Sequence, residues 1–171
     1  LKKPKEIILI GGTNGKGSLS ELITKLALKK NVSVGTFTSP HLLNFNERIR
    51  VNDKEISDEK LLDILKRFNQ YKDSHNLNFY QIISLAALYN FNKSDLDLWI
   101  LEIGMGGRLD PMNFIEPDIS VITKVALDHQ EYLGDTIEEI AAEKAEIARP
   151  EKPLIFGSEN VPNAIIEKAS K

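Results

Sequence analysis

The chain has 171 residues, 42% hydrophobic and 27% charged, a composition that buries enough apolar surface to offset chain entropy and excludes a disordered polypeptide. Its 22 basic and 25 acidic residues leave a net charge of -3, which gives no electrostatic basis for holding a nucleic-acid backbone. With no cysteine there are neither disulfides nor thiolate metal sites, and no apolar run reaches the roughly 18–20 residues of a membrane span, so one cytoplasmic domain is expected; a monomer is taken as the default, although the sequence does not reveal the oligomeric state.

Ile7-Ile8-Leu9-Ile10, ended by glycines, predicts a strand buried on both faces. Over residues 18–30, Leu19, Leu22, Ile23, Leu26 and Leu28 recur near helical spacing, with Asn31 as a stop. Residues 32–37 read as a second strand, and residues 38–46, mixed in polarity and containing Pro40, as a loop. Arg48-Ile49-Arg50-Val51 running into Asn52-Asp53 suggests a small hairpin. Ser57 caps a helix expected to run to about Tyr71, and residues 82–91 form another. Leu98-Trp99-Ile100-Leu101 and Ile119-Ser120-Val121-Ile122 are two more buried strands. A capped helix over residues 136–148, a strand at 154–156 and a helix from about Pro162 complete the pattern. Strands alternating with helices imply an α/β domain whose mainly parallel sheet is flanked by helices.

Gly12-Thr13-Asn14-Gly15-Lys16-Gly17-Ser18 lies between the first strand and the first helix. Successive backbone NH groups and the helix dipole make an anion site there. Glycines allow the turn, Lys16 supplies a compact cation for the β and γ oxygens of a nucleotide, and the Ser18 hydroxyl is placed to ligate Mg2+. The strict P-loop pattern fails by one residue, because Gly17 stands where Ser or Thr should follow the lysine. The bland alternative is a Gly-rich turn joining a strand to a helix.

Three further segments follow in order: Thr38-Ser39-Pro40-His41-Leu42 with Asn46-Glu47-Arg48-Ile49; residues 102–110 with their Gly-Met-Gly-Gly-Arg core; and Leu127-Asp128-His129 through Gly134 to Glu143-Lys144-Ala145. With the Gly-Thr-Asn-Gly-Lys-Gly-Ser loop they resemble the folylpolyglutamate synthase and dihydrofolate synthase branch of the Mur ligases, over residues 7–149. The resemblance implies a P-loop-containing Mur-ligase-type ATPase domain, truncated before a C-terminal ligase domain. It implies an enzyme that uses ATP to phosphorylate a pteroate or folate carboxylate and lets the glutamate amine displace phosphate. The chain by itself is then expected to be inactive, and both its ends to be boundaries within a longer protein.

By resemblance, residues 12–18 bind ATP, Ser18, Glu102 and His129 serve Mg2+, and catalysis falls to Lys16, His129 and Lys144. Lys144 matches the lysine that carries a carbamate, and K+ is a further candidate ion. Ser39, Pro40, His41, Tyr80 and Asp110 are the implied substrate contacts, with Tyr80 stacking on a pterin and Asp110 accepting its ring NH groups. Read without the family, Glu102 is a surface carboxylate at a strand end and His129 a structural imidazole. Tyr80 is ordinary packing, the 38–50 loop a connection, and Lys144 a member of a solvated helix face among glutamates.

Three positions depart from the family pattern: Gln81 in place of Glu, Pro111-Met112 in place of Ala-Thr, and Glu146 in place of Gly. They bear on substrate preference more than on the ATP loop. The rival readings are a cell-wall Mur ligase, which lacks a use for the Ser-Pro-His and Glu-Arg-Ile segments, and a non-catalytic P-loop nucleotide-binding module.

Overall fold

The computed structural model describes residues 3–170. Seven strands form one sheet: β1 (Glu6–Gly11), β2 (Val34–Phe37), β3 (Ile49–Val51), β4 (Lys54–Glu55), β5 (Leu98–Glu102), β6 (Ile119–Ile122) and β7 (Leu154–Phe156). The helices are α1 (Lys16–Lys29), α2 (Asp58–His75), α3 (Phe79–Lys93), α4 (Gln130–Leu133), α5 (Ile137–Ala145) and α6 (Asn163–Ala169). The sheet order is β4-β3-β2-β5-β1-β6-β7. All pairs from β2 to β7 are parallel, and β3 and β4 add an antiparallel hairpin at one edge. Its turn residues Asn52 and Asp53 both have positive φ, at 49° and 63°, as a two-residue hairpin loop requires.

Strict alternation in the central strands divides the core. Ile7, Leu9, Trp99 and Leu101 face α2, α3, α5 and α6. Ile10, Leu98, Ile100 and Val121 face α1 alone, whose Leu19, Ile23 and Ala27 pack on them. Because successive side chains point to opposite faces, Glu102 falls on the same side as Ile100 and meets the start of α1. Chain direction reverses its sense of winding around β1 and β6: β1 leads leftward through α1 to β2, while β6 leads the other way to β7. Ligands of open α/β sheets bind outside the carboxyl ends of the strands at such a point.

Several boundaries differ from the sequence expectation. The first helix starts at Lys16 rather than Ser18, because left-handed Gly15 (φ 88°) ends the turn and serves as its N-cap. The third helix begins at Phe79, not residue 82: Asn78 and Gln81 cap it reciprocally, each side chain taking the other's backbone NH at 2.9 Å. The fifth helix stops at Ala145 instead of 148, with Glu146 still right-handed. The second helix runs past Tyr71 to His75. Neither the two 3-10 turns, Phe45–Arg48 and Pro111–Phe114, nor the four-residue α4 is among the elements expected from the sequence; the first turn straddles the expected loop and the start of the expected hairpin.

Candidate active site

The phosphate loop is stitched to the segment after β6. Thr13 donates its backbone NH to Lys124 O at 2.7 Å, and its hydroxyl exchanges hydrogen bonds with Ala126. The Thr123 hydroxyl donates to Asn14 O at 2.7 Å. Thr123 is a positioning residue that sequence reasoning missed; its signal was a hydroxyl on the α1 side of a strand end beside the loop. Gly12 has φ 133°, and a Cβ there would overlap the Thr123 hydroxyl. Lys16 folds back on its own loop, Nζ donating to Gly12 O at 3.0 Å and Thr13 O at 3.4 Å. Those are the contacts a phosphate oxygen would replace.

Thr13, Asn14, Gly15, Lys16, Gly17 and Ser18 line a cavity of about 580 Å³, and Glu102, Ser39 and Pro40 close its far wall. Glu102 is 3% exposed. Its Oε2 accepts the Ser39 backbone NH at 3.3 Å and would lie 3.9 Å from a Cβ on Gly17. Burial pushes its carboxyl up to about 7, against the opposing pull of Lys16, the Ser39 NH and Arg48. A buried carboxylate with one hydrogen bond beside a phosphate loop suits a divalent cation, whose charge would offset that burial.

A second cavity of about 570 Å³ shares Ser39 and Pro40 with the first and is lined by Arg48, Tyr80, Asp110 and His129. The Ser39–Pro40 peptide is cis. Tyr80 packs 6.1 Å from Phe37, and burial pushes its hydroxyl well above the usual phenol range. Its hydroxyl lies 3.5 Å from Ser39 Oγ and 2.5 Å from where a Gly104 Cβ would stand, so Gly104 makes room for the ring edge. Asp110 takes three backbone NH groups: Gly104 at 2.8 Å, Met105 at 3.4 Å and Met112 at 2.8 Å. Burial still lifts its carboxyl to about 6. The carboxylate thus staples the Gly-rich loop, and Pro111 costs it nothing because it reaches the next NH along.

His129 stands in the second cavity, not the first, with φ 49° and a half-exposed ring 3.6 Å from Asp128 Oδ2. Among the described residues no three His, Asp or Glu side chains form a ready-made ligand set. Lys16, Ser18 and Glu102 therefore share one cavity, while Tyr80, Asp110 and His129 share the other. Ser39 and Pro40 are the common wall. His41 lines neither cavity; its Nδ1 accepts a hydrogen bond from Arg48 Nε at 2.9 Å.

Lys144 is 3% exposed, unlike a solvated helix face. Its amine makes no hydrogen bond or ion pair among the described residues, whereas the adjacent Glu143 pairs with Arg108 at 2.8 Å. Burial and then the charge of Lys16 push its amine down to about 8, with Asp128 pulling the other way. Gly107 permits this approach: a Cβ there would lie 2.5 Å from Glu143 O and 3.1 Å from Lys144 Cα.

The sequence model of the Mur ligase middle domain matches residues 10–170. This chain belongs to that family. The chain is 39% identical over 165 residues to the dihydrofolate synthase/folylpolyglutamate synthase of Haemophilus influenzae, covering 96% of this chain and 38% of that protein. FolC of Escherichia coli, solved in complex with DHPP and ADP, superposes with a TM-score of 0.94 at 35% identity, covering 98% of this chain and 40% of that one. The bifunctional synthase of Yersinia pestis, solved with AMPPNP and a Mn ion, gives 0.92 at 35% identity, over 99% and 42%. The chain thus spans about 40% of the length of these relatives. Among the described residues no helix of this domain is long and apolar enough to cross a membrane.

The three departures now have places. Gln81 is committed to capping α3 and a neutral amide does that work. Glu146 turns away to Lys168 at 2.9 Å, at a position whose right-handed φ of -66° asks for no glycine. Pro111 opens a 3-10 turn, where its missing NH is not needed.

Proposed function

We propose that this domain serves an ATP-dependent amide ligase that joins L-glutamate to dihydropteroate, tetrahydrofolate or both through an acyl phosphate, in cytoplasmic folate biosynthesis. The observation that carries the reading is the pair of cavities sharing the Ser39–Pro40 wall. A phosphate held over Lys16 and an acid held beside Tyr80 would meet at that wall. The relatives solved with ADP, DHPP, AMPPNP and Mn support the same pairing of ligands.

Residues 12–18 would hold the nucleotide phosphates, Lys16 exchanging its two loop carbonyls for phosphate oxygens. Ser18 and Glu102 would hold Mg2+, with His129 at the neighbouring cavity serving a second ion. When bound, the ions spread the charge of γ-phosphate and carboxylate, which otherwise repel each other. Tyr80 offers a flat face to a pterin, while Asp110 keeps its lone pairs partly committed to the Gly-rich loop.

The depressed amine of Lys144 suits carbamate formation, since only a neutral lysine captures carbon dioxide. Native mass spectrometry should show a shift of one carbon dioxide that Lys144→Ala abolishes; no shift at saturating bicarbonate counts against the carbamate.

The glutamate side of the reaction belongs, in this reading, to a C-terminal ligase domain in the portion of the relatives that this chain does not span. Phosphate release by the full-length protein should require ATP, a pteroate and glutamate together. Release that ignores the pteroate would point to a nucleotide-binding module instead, and the 171-residue chain alone should not turn over.

A further inference from the structure

The Arg48 guanidinium has no ion-pair partner among the described residues. Among the described residues its side chain makes a single hydrogen bond, Nε to His41 Nδ1 at 2.9 Å. The fork is also fixed from below by Phe45, whose ring centroid lies 5.5 Å from the guanidinium carbon. Phe45 in turn packs between His41 and Phe79, each 5.6 Å away.

The acids nearby bond to groups other than Arg48 among the described residues. Glu47, the neighbour in sequence, accepts the backbone NH groups of Leu42, Leu43 and Asn44 at 2.7–2.8 Å. Asp110 accepts three NH groups of its own turn, and Glu102 accepts that of Ser39. A half-buried guanidinium without a counter-ion is costly, and Nη1 and Nη2, which make no hydrogen bond among the described residues, match a planar oxyanion.

Position narrows the ligand. Arg48 lines the second cavity, and its backbone carbonyl accepts the NH of Thr38 at 3.1 Å, directly before the Ser39–Pro40 wall. Burial raises the pKa of Glu102 and Tyr80, and the charge of Arg48 reaches both and opposes that rise. Arg48 therefore lines the second cavity next to the strand that leads into the Ser39–Pro40 wall, across which an acid would bring its reacting end to a phosphoryl group held over Lys16.

The geometry points to Arg48 as the group that holds the substrate carboxylate before phosphoryl transfer, with His41 as a positioning residue that orients it rather than a substrate contact. This rests on the amide-ligase reading. In the step it serves, a carboxylate oxygen forms a bond to the γ-phosphorus, the bond from that phosphorus to the bridging oxygen of ADP breaks, and no proton moves. Arg48 offsets the repulsion between the two anions and presents one oxygen in line. His41 must accept at Nδ1, because a guanidinium only donates; its ring is thus held as the neutral tautomer with hydrogen on Nε2.

The test compares binding of pteroate and its uncharged carboxamide to the full-length protein by fluorescence quenching. Arg48→Ala should weaken pteroate by about 10–100-fold and the carboxamide by no more than about twofold, the carboxamide doubling as the check that the variant folds. Arg48→Lys, which keeps the charge and loses the fork, should recover part of the pteroate loss. His41→Ala should weaken pteroate severalfold alone and add nothing to Arg48→Ala, because it acts through that residue. Equal losses for acid and amide in Arg48→Ala, or no loss for either, would overturn the assignment. Additive losses in the double variant would overturn the positioning role. If the wild type binds neither ligand, the amide-ligase reading itself falls and takes this one with it; that result differs from a wild type that binds both and an Arg48→Ala that fails to tell them apart.

Discussion

Replacing Glu102 by Gln is expected to stabilise the metal-free protein above neutral pH and to cut turnover of the full-length enzyme by about 10²–10³-fold, the usual cost of losing one preorganised electrostatic group. The stability half follows from linkage. Burial disfavours the charged form and pushes the folded carboxyl up to about 7 from the ordinary 4.5. Below the unfolded pKa both states carry the proton and Glu102 imposes no penalty. As pH rises through the interval from 4.5 to about 7, the unfolded chain ionises first and the fold loses stability, by at most about 3 kcal/mol at about 1.36 kcal/mol per unit. Gln keeps the shape and hydrogen-bond acceptor without the charge. Urea melts in a chelator should show the wild type losing stability between about pH 5 and about pH 8, with the variant losing less. Asp110, raised to about 6 from 3.8 by burial, adds a similar decline to both proteins, so the difference between them isolates Glu102. Identical slopes would show that Glu102 is not buried as a charge. Added Mg2+ should narrow the stability gap, since only the carboxylate gains a cation.

Gly12→Ala should cost about 2–4 kcal/mol, because strain of about 1–2 kcal/mol from a positive φ adds to overpacking of about 1–3 kcal/mol. The conformation is φ 133°, and the new methyl would strike the Thr123 hydroxyl and come within 3.0 Å of Thr123 N and 3.2 Å of Lys124 N. Backbone cannot step aside there. Thr123 N is bonded to Gly11 O at 3.0 Å and Lys124 O to Thr13 N at 2.7 Å, so relief would unpick the stitching of the phosphate loop. Gly15→Ala is the control. It also has a positive φ, of 88°, but its Cβ would meet only Thr123 Cβ at 3.8 Å, an ordinary contact. It should lose about 1 kcal/mol, the backbone part alone. Chemical denaturation of both variants decides the matter, and equal losses would mean that loop packing against Thr123 is unimportant.

Element types were legible in the residues wherever the pattern was local. Ile7-Ile8-Leu9-Ile10 and Leu98-Trp99-Ile100-Leu101 lack polar alternation because both faces of those strands are covered. The Gly-Lys-Gly turn between strand and helix located the phosphate loop, since anion binding there uses backbone that only glycine frees. What the residues misjudged were ends: Asn78 capped α3 three residues early through a side-chain exchange with Gln81, a signal readable in the Asn-x-x-Gln spacing. The reading of Lys144 as one more charge on an acidic helix was also open, because the spacing of Glu139, Glu143 and Glu146 is that of a solvated face.

By itself the sequence determined the order of strands and helices, the anion-binding turn and the family, all of which depend on neighbours a few residues apart or on motifs in series. Only the tertiary structure decided that Glu102 faces α1 while His129 opens on the other cavity, that Ser39 and Pro40 separate the two, and that Lys144 is buried against Gly107. Crossovers set those distances: β5 inserts between β2 and β1, bringing residues 39 and 102 together across 63 positions of chain. Pleat parity then decides which side chain enters which cavity, and no periodicity along the chain records how remote strands are shuffled.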